Sequence, residues 1–189
     1  GEMYLYGNLV EVNSEVAREY FAEALEIFEV EYDSLEEMQI ISQGENKENR
    51  FLKNYVAFCI GKQYDRGWGI EESPGIALEW YENSKTKYAS YALGQLYYNG
   101  RGVEKDDKRA FAFFQNAGEN AFAKLMCAKM LEKEGQVEKS LGYYKSAFDL
   151  FSAAEEKENS ALFEYHIGSM LYYGCLLYTS PSPRDISGS

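Results

Sequence analysis

The sequence predicts an all-α solenoid, an array of antiparallel helix pairs in which each pair packs on the next. Two observations predict it. Apolar residues occur at helical spacing in segments such as 51–64 and 88–98. A pair of glycines six residues apart also recurs 33 residues later and again after a further 74, twice 37: Gly61 and Gly67, Gly94 and Gly100, Gly168 and Gly174. Such a period is typical of helix-pair repeats, which bury their apolar faces only by stacking.

The first glycine of each pair is predicted to lie inside a helix. A glycine in a helix costs about 1 kcal/mol relative to alanine, so its recurrence at Gly61, Gly94 and Gly168 needs a packing reason. We expect the second helix of each pair to approach closely at these positions. Ala77 and Ala110 are the small residues expected on the opposite side.

The loop and the start of the second helix repeat as well. Gly67 and Gly100 lie where a residue in the left-handed conformation would end the first helix. Six residues later stand Ser73 and Asp106, which belong to the residue types preferred at helix N-caps. Pro74 follows at the first helical position, where its missing N–H is not needed.

These positions together resemble the Sel-one-like repeat (SLR), a relative of the tetratricopeptide repeat. The clearest copy reads LGQLYYNGRGVEKDDKRA at 93–110, and GKQYDRGWGI at 61–70 begins a second good copy. The resemblance implies an all-α fold that is a right-handed α-α superhelix (solenoid) of antiparallel helix pairs.

The resemblance covers most of residues 1–174, which we expect to form one repeat array. Its expected parts are a partial repeat at about 1–30, an extension or insert at 31–48, repeats at 49–84 and 85–118, a degenerate repeat at 119–156 and a truncated repeat at 157–174. In the degenerate copy Ala128 stands where glycine is expected, and the loop is several residues short. The insert is expected to extend or add a helix around Ser34–Ile41, followed by a polar loop at 43–49.

The two ends differ from the array. The chain begins at Gly1 rather than Met, so we expect a piece of a longer protein. Residues 175–185 read CLLYTSPSPRD, which matches the translation of a transposase-type sequencing adapter. We therefore expect residues 175–189 to be a non-native tail.

Composition limits the classes of partner. The chain carries 31 acidic and 19 basic side chains, for a net charge of −12. Nucleic acid is disfavoured as a partner because acidic surface repels phosphate. No apolar run approaches the roughly 18 residues of a membrane span, so no membrane insertion is expected.

No residue pattern indicates catalysis, a metal or a cofactor. The single histidine, His166, has no nucleophile or orienting group nominated beside it, so we expect a packing or surface role. Cys59 and Cys127 fall on first helices two repeats apart, too far for a disulfide. Free thiols, and with them a reducing compartment such as the cytoplasm, are therefore favoured. We expect a protein that is not an enzyme and that binds no cofactor.

The predicted function is protein–protein interaction, as a scaffold or adaptor that holds a peptide or a partner helix on the concave face. The first helices line this face in helix-pair repeats, and tyrosine supplies large contact area with few rotatable bonds. The candidate partner-binding residues are Lys62, Tyr88, Tyr91, Gln95, Tyr98 and Lys129. The net charge would favour a basic partner.

Two alternatives stay open. The array could be the regulatory repeat region of a larger enzyme whose catalytic domain is missing from this sequence. It could also be an exported structural repeat protein, although the absence of paired cysteines argues against that interpretation.

Overall fold

A computed structural model describes residues 2, 11–41, 46–158 and 161–172, and every regular element among them is an α-helix. The predicted all-α class is therefore confirmed. The helices are α1 Ser14–Ile41, α2 Lys47–Arg66, α3 Pro74–Ser84, α4 Lys87–Asn99, α5 Asp107–Asn116, α6 Ala121–Lys133, α7 Val137–Glu158 and α8 Ala161–Tyr172. Gly174 and the tail 175–189 lie outside the described residues. The chain divides into two compact units, 1–110 and 111–189.

In the first unit, consecutive helices pack on one another from α1 to α4. Leu25 of α1 meets Val56 and Ile60 of α2, and all three are buried. Partly buried residues of α1, α2, α3 and the α2–α3 loop surround this cluster: Phe28, Tyr32, Tyr64, Ile70 and Trp80. The core of the unit is thus built from one apolar side of each helix.

The insert expected after the first partial repeat is a continuation of α1, which runs without a break for 28 residues. The helix expected around Ser34–Ile41 is therefore an extension and not a separate element. Asn46 begins α2, because its side chain accepts a hydrogen bond from the backbone N–H of Glu48 at 3.0 Å. The polar loop predicted at 43–49 consequently ends at Asn46, three residues earlier than expected.

The loops after α2 and α4 follow one pattern. Gly67 (φ 65°) and Gly100 (φ 68°) end these helices in the left-handed conformation, and each donates its N–H to the carbonyl four residues earlier. Asp106 then caps α5 by accepting from the N–H of Arg109 at 2.9 Å. Ser73 stands at the equivalent place before α3, but its side chain makes no capping hydrogen bond.

Gly61 leaves room for an aromatic ring. A Cβ at this position would lie 2.7 Å from Cδ1 of Tyr81 and 3.3 Å from Cβ of Trp80. The second helix does approach closely here, but the side chain nearest to Gly61 is Tyr81. The expectation that Ala77 fills this place is wrong, because one helical turn separates Ala77 from the tyrosine that does.

The other two glycines predicted inside first helices differ from each other. Gly94 is buried within α4, and Ala110 is also completely buried. Gly168 lies on α8, where no heavy atom of the described residues would come within 4 Å of an added Cβ. The close helix approach predicted at Gly168 is therefore not present among the described residues.

In the second unit, α6 packs on α7 and α7 on α8. Its buried cluster contains Ala128 and Leu125 of α6, residues of α7, and Met170 of α8. Ala128, the substitute for glycine, is completely buried. Three residues join α6 to α7, whereas seven join α2 to α3. Gly135 makes this short turn at φ 76°.

Candidate functional site

Candidate partner-binding residues of the first unit lie at equivalent positions of two first helices, 33 residues apart. Spacings of three and four residues place each set on one side of its helix. The equivalent triplets are Tyr55, Phe58 and Lys62 on α2, and Tyr88, Tyr91 and Gln95 on α4. We call the surface that they form the first-helix face. The sequence analysis missed Tyr55 and Phe58, although the period of 33 residues connects them to Tyr88 and Tyr91.

Four aromatic side chains follow one another along this face. The ring of Phe58 lies 5.6 Å from that of Tyr88 and 6.3 Å from that of Tyr55, measured between centroids. Phe51 stacks on Tyr55 at 6.3 Å with an interplanar angle of 10°. We call these four residues the aromatic row, and it links α2 to the start of α4.

Three members of the aromatic row are exposed: Phe51 to 65%, Tyr55 to 42% and Tyr88 to 58%. Leaving such rings in water forgoes roughly 1.5–3 kcal/mol for each large apolar side chain that could be buried. Contiguous exposed apolar surface of this kind marks interaction sites more often than it occurs by chance. The aromatic row is therefore the best candidate for a binding surface in the first unit.

Tyr91 and Gln95 form a polar pair beside the aromatic row. The side-chain amide of Gln95 donates to the hydroxyl of Tyr91 at 2.9 Å, and both residues are half-buried. Burial raises the pKa of Tyr91, so its phenol stays neutral at physiological pH. The pair holds a fixed amide at this part of the first-helix face.

Lys62 and Tyr98 are both engaged by neighbouring side chains. The ammonium of Lys62 lies 2.7 Å from Glu2 and 4.7 Å from the ring centroid of Trp68. Tyr98 is half-buried, with the ammonium of Lys105 at 5.0 Å from its ring centroid. These contacts fix the two side chains at the end of the face away from Phe51.

Charge is distributed unevenly between the first unit's helices. Helix α1 carries nine acidic residues and one basic residue. Residues 49–64 and 83–103, which contain most of α2 and all of α4, have no acidic residue. Their basic residues are Arg50, Lys53, Lys62, Lys85, Lys87 and Arg101. The first helices are thus locally basic within a strongly acidic chain.

The candidate Lys129 belongs to the second unit. It lines a cavity of about 450 Å³ together with Glu132, Tyr144 and His166, among others. The ring of His166 stacks on Phe151 at 5.1 Å and 12°. Burial, with Lys129 as the second cause, lowers the pKa of His166. The histidine is therefore held as a neutral packing residue in the wall of the cavity.

Neither cysteine of the described residues is activated. Both Cys59 and Cys127 are free thiols. Burial raises the pKa of Cys59, and it raises the pKa of Cys127 to about 11. Because the thiolate is the reactive form, both thiols are unreactive at neutral pH.

Two further searches covered the described parts of the chain. No group of three or more His, Cys, Asp or Glu side chains there could hold a metal ion. None of the helices in those parts combines the length and the apolar character that crossing a membrane requires.

Helix pairs with a glycine at the close contact and left-handed glycines in the loop define a helical-repeat protein of the solenoid class. The family model of the Sel1 repeat matches residues 1–26, 60–84 and 87–122. Over these segments the chain belongs to the Sel1 repeat family. Sel1 repeats generally act as protein-interaction scaffolds.

The chain is also similar to solved structures. One is a Sel1 repeat protein from Oxalobacter formigenes, with 23% identity and a TM-score of 0.50 over 63% of this chain and 52% of that one. Another is c5321, a protective antigen of uropathogenic Escherichia coli strains that displays an SLR fold, with 20% identity and a TM-score of 0.49 over 95% of this chain and 45% of that one. The chain thus spans about half the length of these relatives. A comparison with curated proteins found no match.

Proposed function

We propose that this chain is a non-catalytic protein-interaction scaffold, or adaptor, that binds a peptide or a helix of a partner protein on the first-helix face. The observation that carries this proposal is the aromatic row, which is exposed and lies at repeat-equivalent positions of α2 and α4. The family's general role as a scaffold supports it.

Binding would rely on buried area at a few anchors. Aromatic side chains dominate the free energy of protein interfaces because they bury much surface and lose little rotamer freedom. Phe51, Tyr55 and Tyr88 supply the apolar anchors, while the amide of Gln95 supplies a polar group that the Tyr91 hydroxyl already orients. A partner segment would therefore lie across α2 and α4.

The state of the reactive side chains supports a role without catalysis. His166 is stacked against an aromatic ring with a lowered pKa, and both cysteines have raised pKa values. An acid–base or nucleophilic residue needs a pKa suited to its task and a partner within hydrogen-bond reach. None of these three side chains meets that description.

A random peptide library displayed against the purified chain tests the proposal. We expect enriched peptides whose affinity falls by tenfold or more, about 1.4 kcal/mol or more, in the variant Tyr88→Ala. Tyr20→Ala is the matched control, because Tyr20 is 50% exposed and lies on α1. Its affinity should stay within about twofold. Enriched peptides that bind Tyr88→Ala and Tyr55→Ala as tightly as the parent chain would contradict the proposal.

A further inference from the structure

We propose that the segment bound by the first-helix face is an acidic amphipathic helix of a partner protein. Its apolar side would cover the aromatic row, and its carboxylates would face Lys85 and Lys87. This inference rests on the proposed function and adds the charge and conformation of the partner.

The turn that carries the two lysines is fixed beside the aromatic row. The hydroxyl of Ser84 donates to the backbone carbonyl of Asn54 at 2.7 Å, and it lies 2.9 Å from the hydroxyl of Thr86. Asn54 precedes Tyr55 on α2, and Lys87 precedes Tyr88 on α4. The turn therefore holds its positive charge at the edge of the exposed rings.

The two lysines are available to a partner. Lys85 and Lys87 are exposed, and neither forms an ion pair with the residues that the structure describes. Other basic side chains of these stretches already have acidic neighbours. Lys53 pairs with Glu36 at 2.9 Å, and Lys62 pairs with Glu2.

The molecule itself contains an example of the proposed interaction. Helix α1, with nine acidic residues, packs on the other side of α2. The ammonium of Lys53 bonds to Glu36 and lies 4.9 Å from the ring centroid of Tyr32, both on α1. Apolar contact and a lysine–carboxylate pair thus already hold an acidic helix on α2. The first-helix face offers the same combination of groups without an occupant among the described residues.

The local charge and the net charge predict opposite partners. The net charge of −12 favours a basic partner at long range. Charges more than about 10 Å apart are largely screened at physiological salt, so the side chains nearest to the interface determine its preference. Around the aromatic row those side chains are lysines, which favour carboxylates.

Single-stranded nucleic acid also binds surfaces that combine aromatic rings with basic groups. It needs a positive groove that follows several phosphates, and the two lysines of one turn provide a single positive point. A strongly acidic chain also repels polyphosphate. The peptide is therefore the partner that the charges favour.

Three synthetic helical peptides of sixteen residues test the inference with the full chain. All three carry the same leucine and tyrosine side, and their remaining positions are glutamate, glutamine or lysine. We measure the affinity of each by fluorescence anisotropy at two salt concentrations. The glutamate peptide should bind roughly threefold to tenfold more tightly than the glutamine peptide, as two or three exposed ion pairs would give. The lysine peptide should bind weakest, and the differences should shrink with salt.

Charge reversal on the protein provides the decisive comparison. Lys85→Glu combined with Lys87→Glu should reverse the order of the glutamate and lysine peptides. Lys108→Glu combined with Lys145→Glu makes the same change in net charge at exposed positions of α5 and α7, and it should leave the order unchanged. Circular dichroism of both double variants verifies that the helices are intact.

The outcomes separate this inference from the proposed function. If Tyr55→Ala with Tyr88→Ala weakens all three peptides but the glutamate peptide has no advantage, the charge assignment is wrong and the proposed function stands. If no bound peptide responds to the tyrosine substitutions, the proposed function is wrong as well. If a twelve-nucleotide oligothymidylate binds more tightly than the glutamate peptide and loses affinity on the Lys85 and Lys87 reversal, the partner is a nucleic acid and the inference is overturned.

Discussion

The α2–α3 pair and the α6–α7 pair are two versions of one repeat, and they share a contact inside the pair. The hydroxyl of Tyr81 lies 3.5 Å from a carboxylate oxygen of Asp65, and that of Tyr144 lies 2.6 Å from one of Glu132. In each pair a tyrosine of the second helix thus reaches a carboxylate near the end of the first helix. This contact is independent of the loop length.

The two pairs differ in what their loops touch. A Cβ at Gly69, in the seven-residue loop after α2, would lie 2.4 Å from the backbone nitrogen of Ala22 on α1. The equivalent Gly102, in the loop after α4, would place a Cβ 2.5 Å from the backbone of Pro74. Gly135, in the short loop of the second unit, has no heavy atom of the described residues within 4 Å of such a Cβ. The long loop therefore carries the contact with the preceding helix, and the short loop does not.

Arg101 adds an ion pair to the long-loop contact. Its guanidinium lies 3.1 Å from Asp65, which is nearly buried, and 2.7 Å from Glu72 in the preceding loop. The equivalent residue one repeat earlier is Trp68, whose ring stacks on Phe21 of α1 at 4.7 Å. The residue between the two loop glycines thus contacts the preceding repeat by either chemistry. The comparison teaches that packing within a pair and packing between pairs are separate properties of the repeat.

The largest effect expected from this difference is at the loop glycines. Gly69→Ala and Gly135→Ala introduce the same methyl group at the same φ of 76°. The left-handed conformation costs alanine about 1 kcal/mol at both sites. The clash with the Ala22 backbone adds roughly 1–3 kcal/mol at Gly69 only. Denaturant unfolding measures both changes, and equal losses would show that the long-loop contact contributes nothing.

A smaller effect is expected within the helix pair. Gly61→Ala gains up to about 1 kcal/mol of helix propensity but forces a methyl group against the buried ring of Tyr81. We expect a net loss of about 1–2 kcal/mol in the free energy of unfolding. Gly142→Ala on α7 is the control, because a Cβ there meets nothing within 4 Å, and it should stabilise the helix. A stabilised Gly61→Ala variant would mean that Tyr81 moves aside freely.

The smallest effect expected concerns pH and only the second unit. Because burial lowers the pKa of His166, the unfolded chain binds a proton more readily than the folded unit does. Stability is therefore complete above the unfolded pKa of about 6.5 and is lost as the pH falls below it. Thermal unfolding of the second unit, followed at pH 7.5 and 5.5, should show this loss. His166→Gln should remove it, since the chain has no other histidine, and an unchanged pH dependence would contradict the assignment.

Much of the fold could be predicted from the spacing of glycines and apolar residues. The predicted segment 88–98 lies within α4, and the helix predicted at 51–64 lies within α2. Gly67 and Gly100 could be placed at helix ends because few residues other than glycine adopt the left-handed conformation readily. The identity of the ring at Gly61 could not be predicted, since periodicity locates a close contact but not the side chain that makes it.

The candidate site was predictable only in part. Tyr88 and Tyr91 were found as a concentration of tyrosines on one helix, whereas Tyr55 and Phe58 require a comparison of both helices at the repeat period. The local positive charge is masked by the composition, because the acidic residues concentrate on α1. A net charge sums over the molecule, and a binding surface depends on its own few side chains.

The contacts of Gly69 and Gly102 with neighbouring backbone have an evolutionary consequence. Every helix presents a similar main chain, so a loop that fits against backbone makes few demands on the neighbour's side chains. Copies of the repeat that carry long loops can therefore be duplicated, or recombined with unlike copies, without matched changes across the junction. The exposed positions of each copy are then free to diverge toward different ligands.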